Sequence, residues 1–211
     1  MSSLLKKCTV SAVAVAVLFF AGCSQSTTPV SNVAAASAPA APAEVITAKT
    51  AFGPMYKSAA AWSSDVQILR ITPRELTGFK NGTGKAAIWE AAFSSATKHQ
   101  FRVYSYAIAT VQPDVHKGVS ANIALPWPGP SRDAMPIDLG LFSIDSDAAF
   151  RSASDDAAAW LKKNPDKPLT TIELGNNFKF RAPVWYASWG DKKSGYVVFV
   201  DATSGKVYKS K

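Results

Sequence analysis

Along most of the chain the apolar positions follow two periods. From Phe150 onward, Ala153, Ala157, Trp160 and Leu161 recur at three-to-four spacing, and Ser146 or Asp147 can cap the helix they predict. Lys162 and Lys163 suit its C-terminal end, and Asn164-Pro165 stops it. Phe52, Met55, Ala59 and Trp62 repeat the same spacing, and each helix carries the tetrad Ala-Ala-Ala-Trp. Pro54 is read as the first residue of the earlier helix. After each helix the period falls to two. Trp185, Ala187 and Trp189 alternate with more polar neighbours, and Tyr196–Val200 is a continuous apolar run. Trp89 and Phe93, then Phe101–Ala107, follow the first helix in the same order.

This order predicts an α+β protein of two tandem units, each an amphipathic helix packed on an antiparallel sheet. The expected blocks are 45–110 for the first unit, 111–146 for a proline-rich connection and 147–211 for the second unit. The first helix and Glu75-Leu76 match the second unit at an offset of 98. Trp89 and Phe93 match Trp185 and Trp189 at 96, and Phe101–Ala107 matches Tyr196–Ala202 at 95. On that register Tyr106 replaces Asp201. Stretch 111–140 reads as long and irregular.

The N-terminus follows neither period. Lys6 and Lys7 precede fourteen uncharged residues, too short to span a bilayer and suited to a signal peptide over residues 1–22. Phe20-Ala21-Gly22-Cys23 resembles a bacterial lipobox, departing from it at Phe20. The resemblance implies lipid attachment at Cys23 and, with Ser24 next, the outer membrane facing the periplasm. Cys8, the one other cysteine, leaves with the signal peptide. Residues 23–44 are rich in small residues and proline, and read as a tether.

Val200-Asp201-Ala202-Thr203-Ser204-Gly205-Lys206-Val207, after a capped helix and VWYASW, resembles the final hairpin of PepSY domains. The match covers about 147–208, and the earlier unit is a degenerate relative. The resemblance implies a PepSY-like or cystatin-like helix-on-sheet fold. It also implies a module that modulates peptidases or binds extracytoplasmic partners, without catalytic residues. Asp201 and Gly205 are expected to hold the turn, by backbone acceptance and by positive φ.

The formal charge is +8, with basic residues scattered apart from a lysine-rich C-terminus. No arginine and aromatic stripe points to nucleic acid. Gly78–Ala86 imitates a phosphate loop but has five residues between its glycines and Ala86 where a hydroxyl is needed, so it reads as a turn. His99 and His116 are seventeen residues apart and offer no zinc spacing. Asp145, Asp147, Asp155 and Asp156 fit a helix start and a solvated face rather than calcium. No metal, cofactor or catalytic set is expected.

Trp127, between Pro126 and Pro128, leaves two readings open: a partner contact, or a residue folded back over the sheet. The second is favoured, because such loops pack through their own side chains. The functional expectation is a lipid-anchored, non-enzymatic binding or regulatory module with an envelope protein or peptide as partner. An assembly lipoprotein without a ligand pocket is the alternative, and a hydrolase is the weakest reading.

Overall fold

The computed structural model describes residues 44–132, 134–176, 178–191 and 193–208. The expected signal peptide, Cys23 and the expected tether up to residue 43 lie outside them.

The elements run β1 (Ile46–Thr47), α1 (Ala48–Trp62), β2 (Gln67–Arg74), β3 (Lys85–Ala86), β4 (Ile88–Ser95), β5 (Gln100–Ala107), β6 (Gly118–Ala121) and β7 (Leu125–Pro126). A 3-10 turn at Leu139–Leu141 follows, then α2 (Ser146–Lys163), β8 (Leu169–Gly175), β9 (Val184–Trp189), β10 (Tyr196–Asp201) and β11 (Val207–Tyr208). All pairings are antiparallel. One nine-stranded sheet runs β11-β10-β9-β8-β2-β4-β5-β6, with β7 beside β5. The fold is therefore mixed α+β, and both halves of the chain share a single sheet.

Both helices lie on one face of that sheet. The alternation in β4 and β9 sends Trp89, Ala91, Phe93, Trp185, Ala187 and Trp189 into a common core with Met55 and the helix alanines. The buried residues of α1 are Ala48, Ala51, Met55 and Ala59; those of α2 are Ser146, Ala149, Ala153 and Ala157. Each is 98 positions from its counterpart, and the small side chains let the helices approach the sheet closely. The helix starts interlock. The Ala48 N–H donates to Ser146 Oγ at 2.9 Å and the Lys49 N–H to Asp145 Oδ1 at 3.0 Å. Each large indole is anchored alike: Trp89 Nε1 donates to the Ile46 carbonyl and Trp185 Nε1 to that of Ile144, both at 2.9 Å.

The strand registers refine the expected correspondence. Ile68, Ile71 and Pro73 face Phe93, Ala91 and Trp89, as Leu169, Ile172 and Leu174 face Trp189, Ala187 and Trp185. The first strands thus correspond at an offset of 101. Glu75-Leu76 does not match Glu173-Leu174: the antiparallel partners, not the shared dipeptide, set the register, and β2 ends at Arg74. Each first strand also carries a bulge at the same place, between Ile68 and Arg70 and between Leu169 and Thr171. In β5 and β10, Tyr104 and Tyr106 face Ala91 and Trp89 as Val198 and Val200 face Ala187 and Trp185. The position of Asp201 is thus held by Ala107, not Tyr106. One residue of slip exchanges the faces of a strand, so the core-facing tyrosines fix the register.

Three further expectations are corrected. The α2 N-cap is Asp145, whose carboxylate accepts the Ser146 N–H. Pro54 lies inside α1, which starts six residues earlier because the α2 start satisfies its first amides; the exposed Pro54 ring faces water. Stretch 111–140 is not wholly irregular, since β6 extends the sheet beside β5 and β7 pairs its far end.

Candidate functional site

The seam between β2 and β8 is narrow. Only Arg70–Gly175 and Ile71–Leu174 are paired across it. Two residues beyond Ile71 stands Pro73, which has no N–H to continue a ladder. The bulges at Leu69 and Thr170 add local twist, and the strands part on either side of the two paired rungs.

At one end the gap is filled. Segment Met135–Ile137 lies in it, with the Ile137 N–H donating to the Ile68 carbonyl at 2.8 Å and the Met135 N–H to the Asn176 carbonyl at 3.4 Å. Asn176 Nδ2 donates to the Pro136 carbonyl at 3.0 Å, and the Ile137 side chain enters the core. At the other end the gap is an open cleft of about 560 Å³. Its walls are Pro73, Glu75–Gly82 and Lys85 on one side and Pro168–Ile172 on the other. Leu76 and Ile172 are buried in its floor, Phe79 is half-buried, and Lys80 and Thr77 are exposed at its rim. Lys85 Nζ lies 3.3 Å from Glu44 Oε1, so the chain enters the body beside this cleft. Such a volume falls in the range of small ligand pockets.

The sheet face away from the helices is partly covered, by the Leu76–Phe79 loop, by Trp127 and by Phe180. Phe199 packs on Tyr186 and Phe180, with ring centroids 5.5 and 5.0 Å apart, and Phe180 meets Tyr208 at 4.8 Å. Val197 and Phe178 stay exposed, the latter under the Arg132 guanidinium. Charge is added by Arg70, by Glu173 and by an Arg74–Glu90 ion pair at 3.0 Å. Burial pushes the Glu173 carboxyl above its usual range, and the nearby Arg70 charge partly offsets this.

Trp127 covers another part of that face. It is 8% exposed, its N–H donates to the His99 carbonyl at 2.9 Å, and it walls an apolar cavity of about 240 Å³ with Leu69, Ala92 and Phe101. It folds back on the sheet rather than projecting from the loop. Asp201 closes the β10–β11 turn: its Oδ1 accepts the Thr203 and Ser204 N–H groups at 2.9 and 2.8 Å, and Tyr208 donates to Oδ2 at 2.6 Å. Burial opposes ionisation of Asp201, but the Tyr208 hydroxyl and these amides hold its carboxyl below the ordinary range. Gly205 has φ +75° and donates to the Asp201 carbonyl.

Of the run Gly78–Ala86, residues 78–84 form turns and Lys85–Ala86 is β3, with Gly82 and Lys85 exchanging both backbone bonds. His99 and His116 are exposed on separate loops. Asp145 and Asp147 serve the α2 start, whereas Asp155 and Asp156 lie on its solvent side. Among the described residues no three His, Cys, Asp or Glu side chains are grouped to hold a metal, and no helix is long and apolar enough to cross a membrane. The cleft residues Leu76, Phe79 and Thr170 are missed by sequence reasoning. The turn-rich run Thr77–Gly84 marks a loop, but nothing local tells that β8, ninety residues on, forms its other wall.

No family model matches this chain, and no curated protein matches its sequence. A solved structure from Clostridium difficile 630, provisionally named a lipoprotein, is similar to it at 14% identity and a TM-score of 0.49, covering 75% of this chain and 90% of that chain.

Proposed function

We propose that this chain is a lipid-anchored, non-enzymatic binding module of the cell envelope, built from two tandem helix-on-sheet units of which the second is PepSY-like. The tandem reading is supported by the equivalent anchoring of Trp89 and Trp185 and by the 98-residue spacing of buried helix positions. The envelope reading rests on the signal-like N-terminus and Cys23, with the outer membrane facing the periplasm as the proposed site. Residues 23–44 hold the body away from lipid. The bound partner is a protein or peptide, and regulation of a peptidase is the role that the PepSY resemblance suggests.

The binding reading is carried by one observation: the sheet stays open at its seam, and the apolar Val197 and Phe178 stay exposed on its outer side. Uncovered apolar surface beside charged groups is the usual mark of an interaction site. In-cell crosslinking followed by identification of attached envelope proteins tests it. Recovery of a partner through residues of the seam or the open face is the expected result. Recovery of nothing above an unrelated lipoprotein control would end the binding reading.

A further inference from the structure

We infer that the open cleft between β2 and β8 is a strand-insertion site that takes an extended peptide of a partner protein, in the manner in which the chain's own Met135–Ile137 fills the corresponding gap. The inference rests on the binding reading above and names its ligand class.

At the offset of 101 that relates the two first strands, Ile68 corresponds to Leu169 and Asn176 to Glu75. The carbonyls of Ile68 and Asn176 are the two acceptors that hold Met135–Ile137. Their counterparts, Leu169 and Glu75, both line the open cleft. Among the described residues, no loop amide reaches either of them. The Gly190 N–H goes to Pro168, one residue before Leu169. The open cleft thus offers the same two acceptors, with the apolar Leu76, Phe79 and Ile172 below them. A strand laid there gains backbone bonds and buries one side chain, as β-augmenting peptides do.

The occupant belongs to a partner rather than to this chain's own tether. Met135–Ile137 precedes α2 by the same distance at which Ser37-Ala38-Pro39 precedes α1. Ile137 supplies an N–H to Ile68 and an apolar side chain to the core, whereas Pro39 has no N–H and Ala38 little to bury. The preferred ligand is therefore an extended peptide with a large apolar residue that carries a free N–H. At the rim Lys80 and Lys85 are balanced by Glu75 and by Glu44, which pairs with Lys85, so charge does not select the peptide.

The test uses the full chain purified in detergent, with p-benzoylphenylalanine replacing the exposed Thr77. The probe is a synthetic peptide copying Ser131–Leu139, the sequence the filled gap already accepts. Photolysis is expected to join the peptide to the chain, and on the unsubstituted chain N-methylation of the peptide's isoleucine should weaken binding about tenfold, the value of one lost backbone bond and the displaced geometry around it. Crosslinking of Thr77 to residues 24–43 of the same chain, with no peptide product, would overturn the inference in favour of self-occupancy. Equal binding of the methylated peptide would overturn it by removing the strand mode. Failure of the peptide alongside successful in-cell capture would remove the cleft and leave the binding reading standing. In-cell capture of nothing would remove both.

Discussion

The N–H of Ala48 donates to the hydroxyl of Ser146, 98 residues away and fully buried. The first turn of one helix is therefore satisfied by the first residue of the other. Ser146→Ala leaves the Ala48 amide buried without an acceptor. It should lower the unfolding free energy by about 1–3 kcal/mol, with the denaturant slope unchanged. Urea titration followed by tryptophan emission measures both quantities.

Gly84 and Gly78 separate two meanings of glycine. Gly84 has φ +76°, and an added Cβ would strike the Ser146 carbonyl and the Asp147 Cα, all backbone. Gly78 has φ +86° with open space around it. Gly78→Ala should cost only the left-handed conformation, about 1–2 kcal/mol. Gly84→Ala should cost more than about 4 kcal/mol, because the start of α2 must move as well. Melting temperatures of the two variants rank them, and equal values would contradict the close approach.

Two carboxyls should respond to pH with opposite signs. Asp65 is held below the ordinary range first by the Ser95 hydroxyl, then by the Thr97 amide and the Ser63 and Thr97 hydroxyls. Its folded pKa lies below the unfolded value near 3.9, so its contribution is full above about pH 4 and is lost as pH falls through the folded pKa. Asp65→Asn should lower stability at pH 6 and flatten the acid limb. Glu173 is raised by burial, with Arg70 pulling the other way. Its charge weakens the fold at neutral pH, and stability is recovered as pH falls through the raised value toward about 4.3. Glu173→Gln should therefore be more stable than the parent at pH 7. Denaturant midpoints at pH 4, 5, 6 and 7 check both signs.

Trp127 is a buried cover, so Trp127→Ala should cost about 3 kcal/mol or more and open the cavity against Leu69 and Phe101. Trp127→Phe should restore most of that loss. A contact role predicts a different result: capture of the partner lost in both variants, with little change in melting. Measuring melting and capture on the same two proteins separates the roles.

Much of this architecture is legible in the sequence because its period is local. The spacing Phe150, Ala153, Ala157, Trp160 places α2, and the alternation around Trp185 and Trp89 places two core strands. The turn chemistry of Asp201 and Gly205 is equally local. What the sequence conceals is set by partners far along the chain. The dipeptide Glu75-Leu76 looks like Glu173-Leu174, yet in the pairing with β4 it is Thr72-Pro73, three residues earlier, that holds the matching register. Asp145 as N-cap and Pro54 inside a helix follow from the contact between the helix starts, which no short window contains. The cleft is hidden for the same reason, since its two walls are β2 with its following loop and the start of β8.

Trp89 and Trp185 sit on strands separated by two others, roughly 14 Å apart across the sheet, yet their rings meet edge to face with centroids 6.5 Å apart. The two chromophores bridge the joint over its top. The molecule thus offers a native optical gauge: exciton coupling of this indole pair should add a circular-dichroism component that is lost if the halves swing apart, with no label attached.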